Sequence, residues 1–269
     1  MAASQHSDSC AFFFDKLFSR NLPNILEKIL FYLDYESFKA CADINTSWKN
    51  LLTSKPFVKK ARSEFYREIE GDEEKLVNAS ESGRVEDVRN LLSLGIVDVN
   101  CSGSFDRTPL GQAAINGRDG VIKLLLSKGA DPNITDEHGN NPLHGAAQEG
   151  HKTAVELLIE AGADPKKEDP EGQAPLHIAA SNCRHEVIRA LIEGGADPNA
   201  LGAFGWNPLH TATHCYTAME DPEKSEEVTK ALLEGGAEPN KASRPDGRMP
   251  LQYLPSLEIT GMSIDVFFI

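Results

Sequence analysis

Hydrophobic positions near the start of the chain follow a helical period. The stretch "LPNILEKILFYL" (22–33) has apolar residues at spacings of three and four: Leu22, Ile25, Leu26, Ile29, Leu30 and Leu33. This spacing places them on one face of an amphipathic helix. Asp34 can cap a second helix, and a third can carry Trp48 before Pro56 ends it. The pattern therefore predicts three short helices within residues 20–60.

A second hydrophobic pattern repeats along the middle of the chain. Four segments align, at 108–133, 141–166, 174–199 and 207–240. Their prolines lie 33 residues apart at Pro109, Pro142, Pro175 and Pro208. Proline suits the first helical position, and the glycine before each "AD" or "AE" suits a left-handed helix end. Each unit is predicted to form two helices and a hairpin-like turn, and the units stack because none can bury its apolar faces alone.

The two ends of the repeated region are less regular. Residues 73–100 resemble a first repeat without its proline, and residues 244–254 begin a sixth. Pro208 and Pro250 lie 42 residues apart rather than 33, so the fifth repeat holds an insertion near "YTAMEDPEKS" (216–225). We expect this insertion to form a surface loop.

The 33-residue period and the Pro-Leu-His signature resemble the ankyrin repeat, and the resemblance covers residues 73–254. Departures occur at the residue before the signature proline and at the signature histidine. Asn141, Ala174, Asn207 and Met249 replace the usual threonine, and Gly111 and Gln252 replace the usual histidine. We expect these replacements to weaken local hydrogen bonding without changing the fold.

The N-terminal helices resemble the F-box. The matching residues are Leu22-Pro23, Leu26, Ile29-Leu30, Leu33-Asp34, Ser37-Phe38, Cys41, Ile44, Trp48 and Leu51. Ile25 departs from the family, which usually has glutamate there. A unit of about 40 residues is too small to be stable alone without metal, disulfides or a partner. The resemblance implies a Skp-family adaptor and cullin complex as partners. It also implies an adaptor-binding set of Leu22, Pro23, Leu26, Ile29, Leu30, Leu33 and Trp48.

These patterns predict an all-α chain with an N-terminal three-helix F-box and an ankyrin-repeat solenoid of about five to six repeats. The expected divisions are an N-terminal tail (1–18), an F-box-like module (19–60), a connecting helix (61–72), the repeats (73–254) and a C-terminal tail (255–269). The resemblance implies a substrate-recognition subunit of an SCF ubiquitin ligase, which is not itself an enzyme. The alternative is an ankyrin-repeat scaffold without a ubiquitylation role.

Charge is distributed unevenly along the 269 residues, whose net charge is −14. Residues 1–71 carry 10 basic and 9 acidic side chains, whereas residues 72–254 carry 17 and 30. Such an acidic body argues against nucleic-acid binding and favours a target protein with a basic surface. No apolar run is long enough to suggest a membrane span. The five scattered cysteines argue against a disulfide framework and favour a cytoplasmic or nuclear, intracellular setting.

The repeated polar residues admit a chemical and a structural interpretation. His144, His177 and His210 could suggest a metal ladder, but their signature position favours a structural role. A zinc cluster is a second possibility, formed by His210, His214, Cys215, Cys183 and His185. These residues do not follow the sequence spacing typical of zinc ligands. No phosphate loop or nucleophile elbow is present, and we expect no cofactor, metal site or catalytic residue. Asn100, Asn133, Asn199 and Asn240 resemble targets of asparaginyl hydroxylases, although asparagine also suits the turn.

The target-binding candidates lie where ankyrin repeats vary, just before the signature proline. They are Phe105, Arg107, His138, Asn140, Phe204 and Trp206. A second variable set ends the first helix of each repeat: Ile115, Asn116, Gln148, Glu149, Ser181 and Asn182. Aromatic and arginine side chains are enriched at binding hot spots. The alternative is that the aromatic rings fold back onto the neighbouring repeat.

Overall fold

The computed structural model describes residues 66–93, 95–212 and 222–242. The chain divides into two compact units: Met1–Leu76 with Glu86–Asp98, and Val77–Val85 with Val99–Ile269. The F-box-like module, the start of the sixth repeat and both tails lie outside the described residues.

The described part of the chain consists of α-helices joined by turns and contains no strand. The helices are α1 Tyr66–Glu81, α2 Val85–Leu92, α3 Pro109–Ile115, α4 Asp119–Ser127, α5 Pro142–Glu149, α6 Lys152–Glu160, α7 Pro175–Ser181, α8 His185–Glu193, α9 residues 208–212 and α10 Pro222–Glu234. Short 3₁₀ turns occur at Ser104–Asp106 and Ala203–Gly205. The all-α prediction is confirmed for these residues, and the segments expected to be hairpin-like are turns.

Helix α1 runs without a break through the division expected after residue 72. Gly71 lies inside this helix, and Asp72 accepts a 2.8 Å hydrogen bond from Lys75 Nζ one turn later. Val88 and Leu92 are the buried residues of α2. The connecting helix and the first repeat helix are therefore continuous where the structure describes them.

In the second unit, polar side chains cap most of the proline-initiated helices. Thr108 Oγ1 accepts from the Gly111 N–H at 3.0 Å, and Asn141 Oδ1 accepts from the Leu143 and His144 N–H groups at 3.1 Å. The expectation that asparagine would weaken this hydrogen bonding was wrong at residue 141, because an amide oxygen accepts as well as a hydroxyl does. Ala174 has no such group, and α7 begins without a side-chain cap.

The helix ends also follow the sequence pattern. Gly129, Gly162, Gly195 and Gly236 take left-handed φ values from 87° to 97°. After α4, the Ala130 N–H donates to the Leu125 carbonyl at 3.0 Å, which closes the last turn. These glycines therefore end the second helix of each repeat as predicted.

Alanine pairs form the contact layer between neighbouring first helices. Ala113, Ala114, Ala146, Ala147, Ala179 and Ala180 all have zero exposure. Helix α5 packs against α3 and α7, while α6 packs against α4 and α8. The small side chains let these helices approach closely, so the core is continuous from one repeat to the next.

Asparagine side chains link each turn to the following repeat. Asn133 Oδ1 accepts from the Asp164 N–H at 3.0 Å, and its Nδ2 donates to the Gly162 carbonyl at 3.1 Å. Asn199 makes the same pair of bonds, to the Glu238 N–H and the Gly236 carbonyl. Lys166 occupies this register between them. An ammonium group cannot accept a hydrogen bond, so Lys166 cannot make the two-bond link.

A second set of links runs backward and was not predicted from the sequence. Arg118 Nε donates to the Glu81 carbonyl and Arg184 Nε to the Gln148 carbonyl, both at 3.0 Å. His151 Nε2 lies 3.0 Å from the Ile115 carbonyl in the equivalent position. A Cβ at Gly150 would lie 2.7 Å from Arg184, so glycine makes room for the link.

The insertion in the fifth repeat is partly helical. Helix α10 begins at Pro222 and has 13 residues, against 9 in α4, α6 and α8. The last four residues of "YTAMEDPEKS" therefore belong to the helix rather than to the expected loop, because proline suits the first turn.

One cysteine also departs from expectation. Cys183 is buried at a φ of 57° and is disulfide-bonded. Sequence spacing carried no information on this pairing, since folding brings distant residues together.

Replacing Lys166 with asparagine should raise the free energy of unfolding by about 1 kcal/mol, because it supplies the missing acceptor and donor. Asn133→Lys should lower it by a similar amount. Urea denaturation followed by circular dichroism measures both changes. Lys167→Asn is the matched control, because residue 167 is one position out of register. Equal stabilisation by Lys166→Asn and Lys167→Asn would contradict the proposed asparagine link.

Candidate functional site

The predicted adaptor-binding residues Leu22, Pro23, Leu26, Ile29, Leu30, Leu33 and Trp48 lie outside the described residues. The target-binding candidates lie within them, apart from the Phe204 side chain. They occupy the turns that precede α3, α5 and α9.

Aspartates hold the turns before α5 and α7. Asp136 Oδ1 accepts from the His138 and Asn140 N–H groups at 3.0 and 2.9 Å. Asp169 makes the same bonds to Glu171 and Gln173, at 2.9 and 2.8 Å. Glycines 139 and 172 supply the left-handed residue in each turn. The 33-residue spacing of the aspartates, each followed by glycine three positions later, is a sequence signal that was not used.

The turn before α3 is built differently and carries the most exposed large hydrophobic residue of the described chain. Gly103 stands where Asp136 and Asp169 stand in later repeats, and Phe105 and Asp106 have φ values of 63° and 53°. The Phe105 side chain is 61% exposed. Its carbonyl accepts from the Glu137 N–H at 3.2 Å, which fixes this tip against the next one. The alternative of a folded-back ring does not apply to Phe105.

Arg107 lies between Phe105 and the second turn. Its Cζ is 6.0 Å from the Phe105 ring centroid, within the range of a cation–π contact. Its Nε is 3.7 Å from Asp136 Oδ2, an ion pair too long to be a hydrogen bond. The guanidinium is therefore held by electrostatic contacts, and its buried Nε has no acceptor among the described residues.

The turns and the ends of the first helices enclose two adjoining cavities. The first, of about 290 Å³, has Arg107, Asp136 and Asn140 on one side and Ile115, Gln148 and Glu149 on the other. The second, of about 590 Å³, is lined by His138, Asn140, Gln148, Glu171 and Asn182, among others. They share Asn140 and Gln148 and therefore adjoin, and we call the pair of cavities the groove. It is lined by three of the six candidates, Arg107, His138 and Asn140, and by much of the second variable set, while Phe105 lies beside it.

The remaining two candidates belong to the turn before α9. Phe204 lies in the 3₁₀ turn Ala203–Gly205. The half-buried Trp206 ring stacks on His210, with centroids 6.5 Å apart and ring planes at 24°. Trp206 thus packs partly on its own repeat, while residues 105, 107, 138 and 140 line or border the groove.

The signature histidines are structural. His177 Nδ1 accepts from the Ala174 N–H at 3.2 Å, and Nε2 lies 3.1 Å from the Ala200 carbonyl. Burial lowers the pKa of His144 and His177 below the ordinary value, and outweighs the opposing effect of backbone carbonyls at Gln173 and Ala200. Each ring is therefore neutral at pH 7, with its Nε2–H donating to the following segment.

Two further observations concern the described residues alone. Within residues 66–93, 95–212 and 222–242, no three histidine, cysteine or acidic side chains are grouped as metal ligands. His185, a member of the zinc candidate set, instead lies 3.0 Å from Glu227 Oε2. No helix in these ranges has both the length and the apolar character needed to cross a bilayer.

The sequence profile described as ankyrin repeats (3 copies) matches residues 76–169 and 161–243, more than half of the chain. The chain belongs to the ankyrin-repeat family. Ankyrin repeats are protein-interaction modules, so protein partners follow for this domain. The matched ranges begin at residue 76, and the F-box-like module lies outside them.

Individual relatives match only part of the chain. Mitochondrial disaggregase of Bos taurus is 44% identical over 62 residues, which are 23% of this chain and 9% of that protein. The human protein is 40% identical over the same length. Cyclin-dependent kinase 4 inhibitor B of Bos taurus is 46% identical over 66 residues, 24% of this chain and 49% of that protein. The chain thus spans less than half the length of each relative.

Acidification should destabilise the repeats through His144 and His177. An unfolded histidine titrates near pH 6.5, and the folded pKa values lie lower. The unfolded state therefore binds more protons, so stability present above about pH 6.5 is lost as the pH falls through the folded pKa values. Denaturation at about pH 7.5 and about pH 5.5 should show this loss. His144→Gln with His177→Gln should reduce it, whereas the exposed control His138→Gln should not.

Asp136→Ala and Asp169→Ala form a matched pair that isolates the Arg107 contact. Each should cost about 1–2 kcal/mol of stability, because two backbone donors lose their acceptor. Asp136→Ala should cost a further ~0.5 kcal/mol, the usual value of a partly exposed ion pair. In an Arg107→Ala background, the two losses should become equal by urea denaturation. A difference that persists there would show that Arg107 does not pair with Asp136.

Proposed function

We propose that the groove binds a target protein and that the whole chain presents that target to a ubiquitin ligase of the SCF type. The observation that carries target binding is the exposure of Phe105, whose side chain is 61% exposed beside a groove lined by Arg107. Large exposed aromatic rings next to arginine are typical of binding hot spots. The relative named as a kinase inhibitor acts, by its name, on another protein, which is consistent with this use of the repeats.

The ligase role rests on the N-terminal sequence. Residues 22–51 match the F-box pattern, and a module of that size gains stability from an adaptor. Under this proposal Leu22, Pro23, Leu26, Ile29, Leu30, Leu33 and Trp48 form the adaptor-docking module. The chain then supplies recognition, while the partner complex supplies ubiquitin transfer.

A scaffold that joins two proteins without ubiquitylation is the second candidate. The ankyrin repeats and the groove support it equally well, because neither requires an adaptor. The two proposals differ only in what residues 19–60 bind.

Co-purification of the full chain with a Skp-family adaptor separates the two proposals. We expect capture by the native chain, and a loss of about tenfold or more after Leu22→Ala with Pro23→Ala, which remove two docking contacts. Arg107→Ala is the control, since a groove substitution should leave adaptor capture unchanged.

In the same assay, Ile25→Glu tests whether a loss of capture merely reflects unfolding of the module. It restores the usual F-box residue and should preserve or increase capture. An apolar helix that packs on its own chain would be damaged by this buried charge. No capture by the native chain would exclude the ligase role and leave the scaffold.

A further inference from the structure

The charges around the groove are strongly unequal. Its two cavities are lined by the carboxylates Asp136, Glu137, Glu149, Asp169 and Glu171, against one guanidinium, Arg107. Two histidines also line the cavities: burial lowers the pKa of His144, and His138 Nε2 lies 3.5 Å from Glu137 Oε1. A groove with this excess of carboxylates attracts positive charge.

The five carboxylates fall into two groups with different duties. Asp136 and Asp169 each accept two backbone N–H bonds and hold the turns in place. Glu137, Glu149 and Glu171 are exposed, and their described contacts are to neighbouring side chains at 3.3 to 3.5 Å. These three, which we call the rim glutamates, can therefore pair with a ligand without loosening the turns.

Beside the carboxylates, the first cavity has apolar surface and unused donors. Ile115 and Ile134 line it, and a Cβ at Gly145 would lie 2.4 Å from Ile115, so glycine there leaves space for this side chain. The Arg107 guanidinium also lines the cavity and makes no hydrogen bond within the described chain. A ligand for this cavity should offer an acceptor oxygen, an aliphatic stem and a positive charge.

An extended basic peptide provides all three. We propose that the groove takes an extended, lysine- or arginine-bearing segment of the target protein. A main-chain carbonyl of the segment accepts from Arg107, the stem of a basic side chain lies on Ile115, and its cation pairs with Glu149. Glu137 and Glu171 pair with further basic residues along the segment. This inference rests on the proposed function and gives the chemical class of its target.

A random peptide library of about a dozen residues per member, displayed on phage and selected on the full chain, tests the inference. We expect selected peptides to be enriched in lysine and arginine. Binding of a selected peptide, measured by fluorescence anisotropy, should weaken about tenfold when the three rim glutamates become glutamine, as expected for three exposed ion pairs. It should also weaken as salt rises from about 50 to about 500 mM, since salt screens exposed charges.

Matched variants make the outcome specific. The α6–α8 control combines Glu156→Gln, Glu160→Gln and Glu193→Gln. It removes the same amount of charge from helices that lie away from both cavities, and it should leave binding unchanged. Arg107→Ala should weaken all selected peptides without changing their preference for basic residues. Thermal unfolding of the glutamine variants should match that of the native chain, whereas Arg107→Ala should unfold at a slightly lower temperature because it loses the ion pair with Asp136.

The failures of the two proposals can be told apart. Selection of acidic or uncharged peptides whose binding is still lost in Arg107→Ala would overturn the basic-segment inference and leave groove binding intact. Selection of no peptide, or of peptides that are insensitive to every groove substitution, would overturn target binding at the groove itself. Equal loss in the α6–α8 control would also overturn the inference, because it would show attraction by net charge alone.

Discussion

Each two-helix repeat of this chain leaves an apolar face that only the next repeat can cover. The alanine pairs at 113–114, 146–147 and 179–180 make that contact close enough for neighbouring backbones to be joined by side chains. Asparagines link repeats forward, and Arg118, His151 and Arg184 link them backward. The groove depends on this stacking, since every cavity wall is shared by two repeats.

In the same scaffold, some titratable side chains hold the repeats in place, while others remain able to contact a ligand. Two aspartates are consumed by backbone donors in the turns, and two histidines are held neutral by burial. The rim glutamates are left exposed at the groove, and the buried Arg107 Nε has no acceptor among the described residues. A rigid frame with a few uncommitted polar groups favours selective binding, because little side-chain entropy is lost when those groups engage.

The sequence predicted the repeat fold well, because its signals are local. Proline at the first helical position and glycine after the last one depend on a few neighbouring residues, and both behave as expected. The backward links escaped prediction because Arg118 donates to a carbonyl 37 residues away. Asn141 was misjudged for a different reason. Family preference for threonine says nothing about whether another acceptor can reach the same N–H groups.

The candidate site was predicted in outline but not in its interactions. The positions before the signature proline were identified from the repeat register. That register does not say which of their side chains are exposed. The Phe105 side chain is exposed to solvent, whereas the Trp206 ring stacks on His210. Side-chain packing between repeats decides this difference, and a one-dimensional pattern does not contain it.

The missing link at Lys166 has a consequence for how the solenoid responds to stress. In a linear array, the weakest coupling between neighbours decides where the array divides. The junction without the asparagine link lies between the repeat that ends at residue 173 and the one that begins at residue 174, and the Arg184 Nε bond to the Gln148 carbonyl still crosses it. Arg107, Asp136 and Glu149 all lie before it. The C-terminal repeats can therefore fluctuate or open as a separate block while the first cavity keeps its walls.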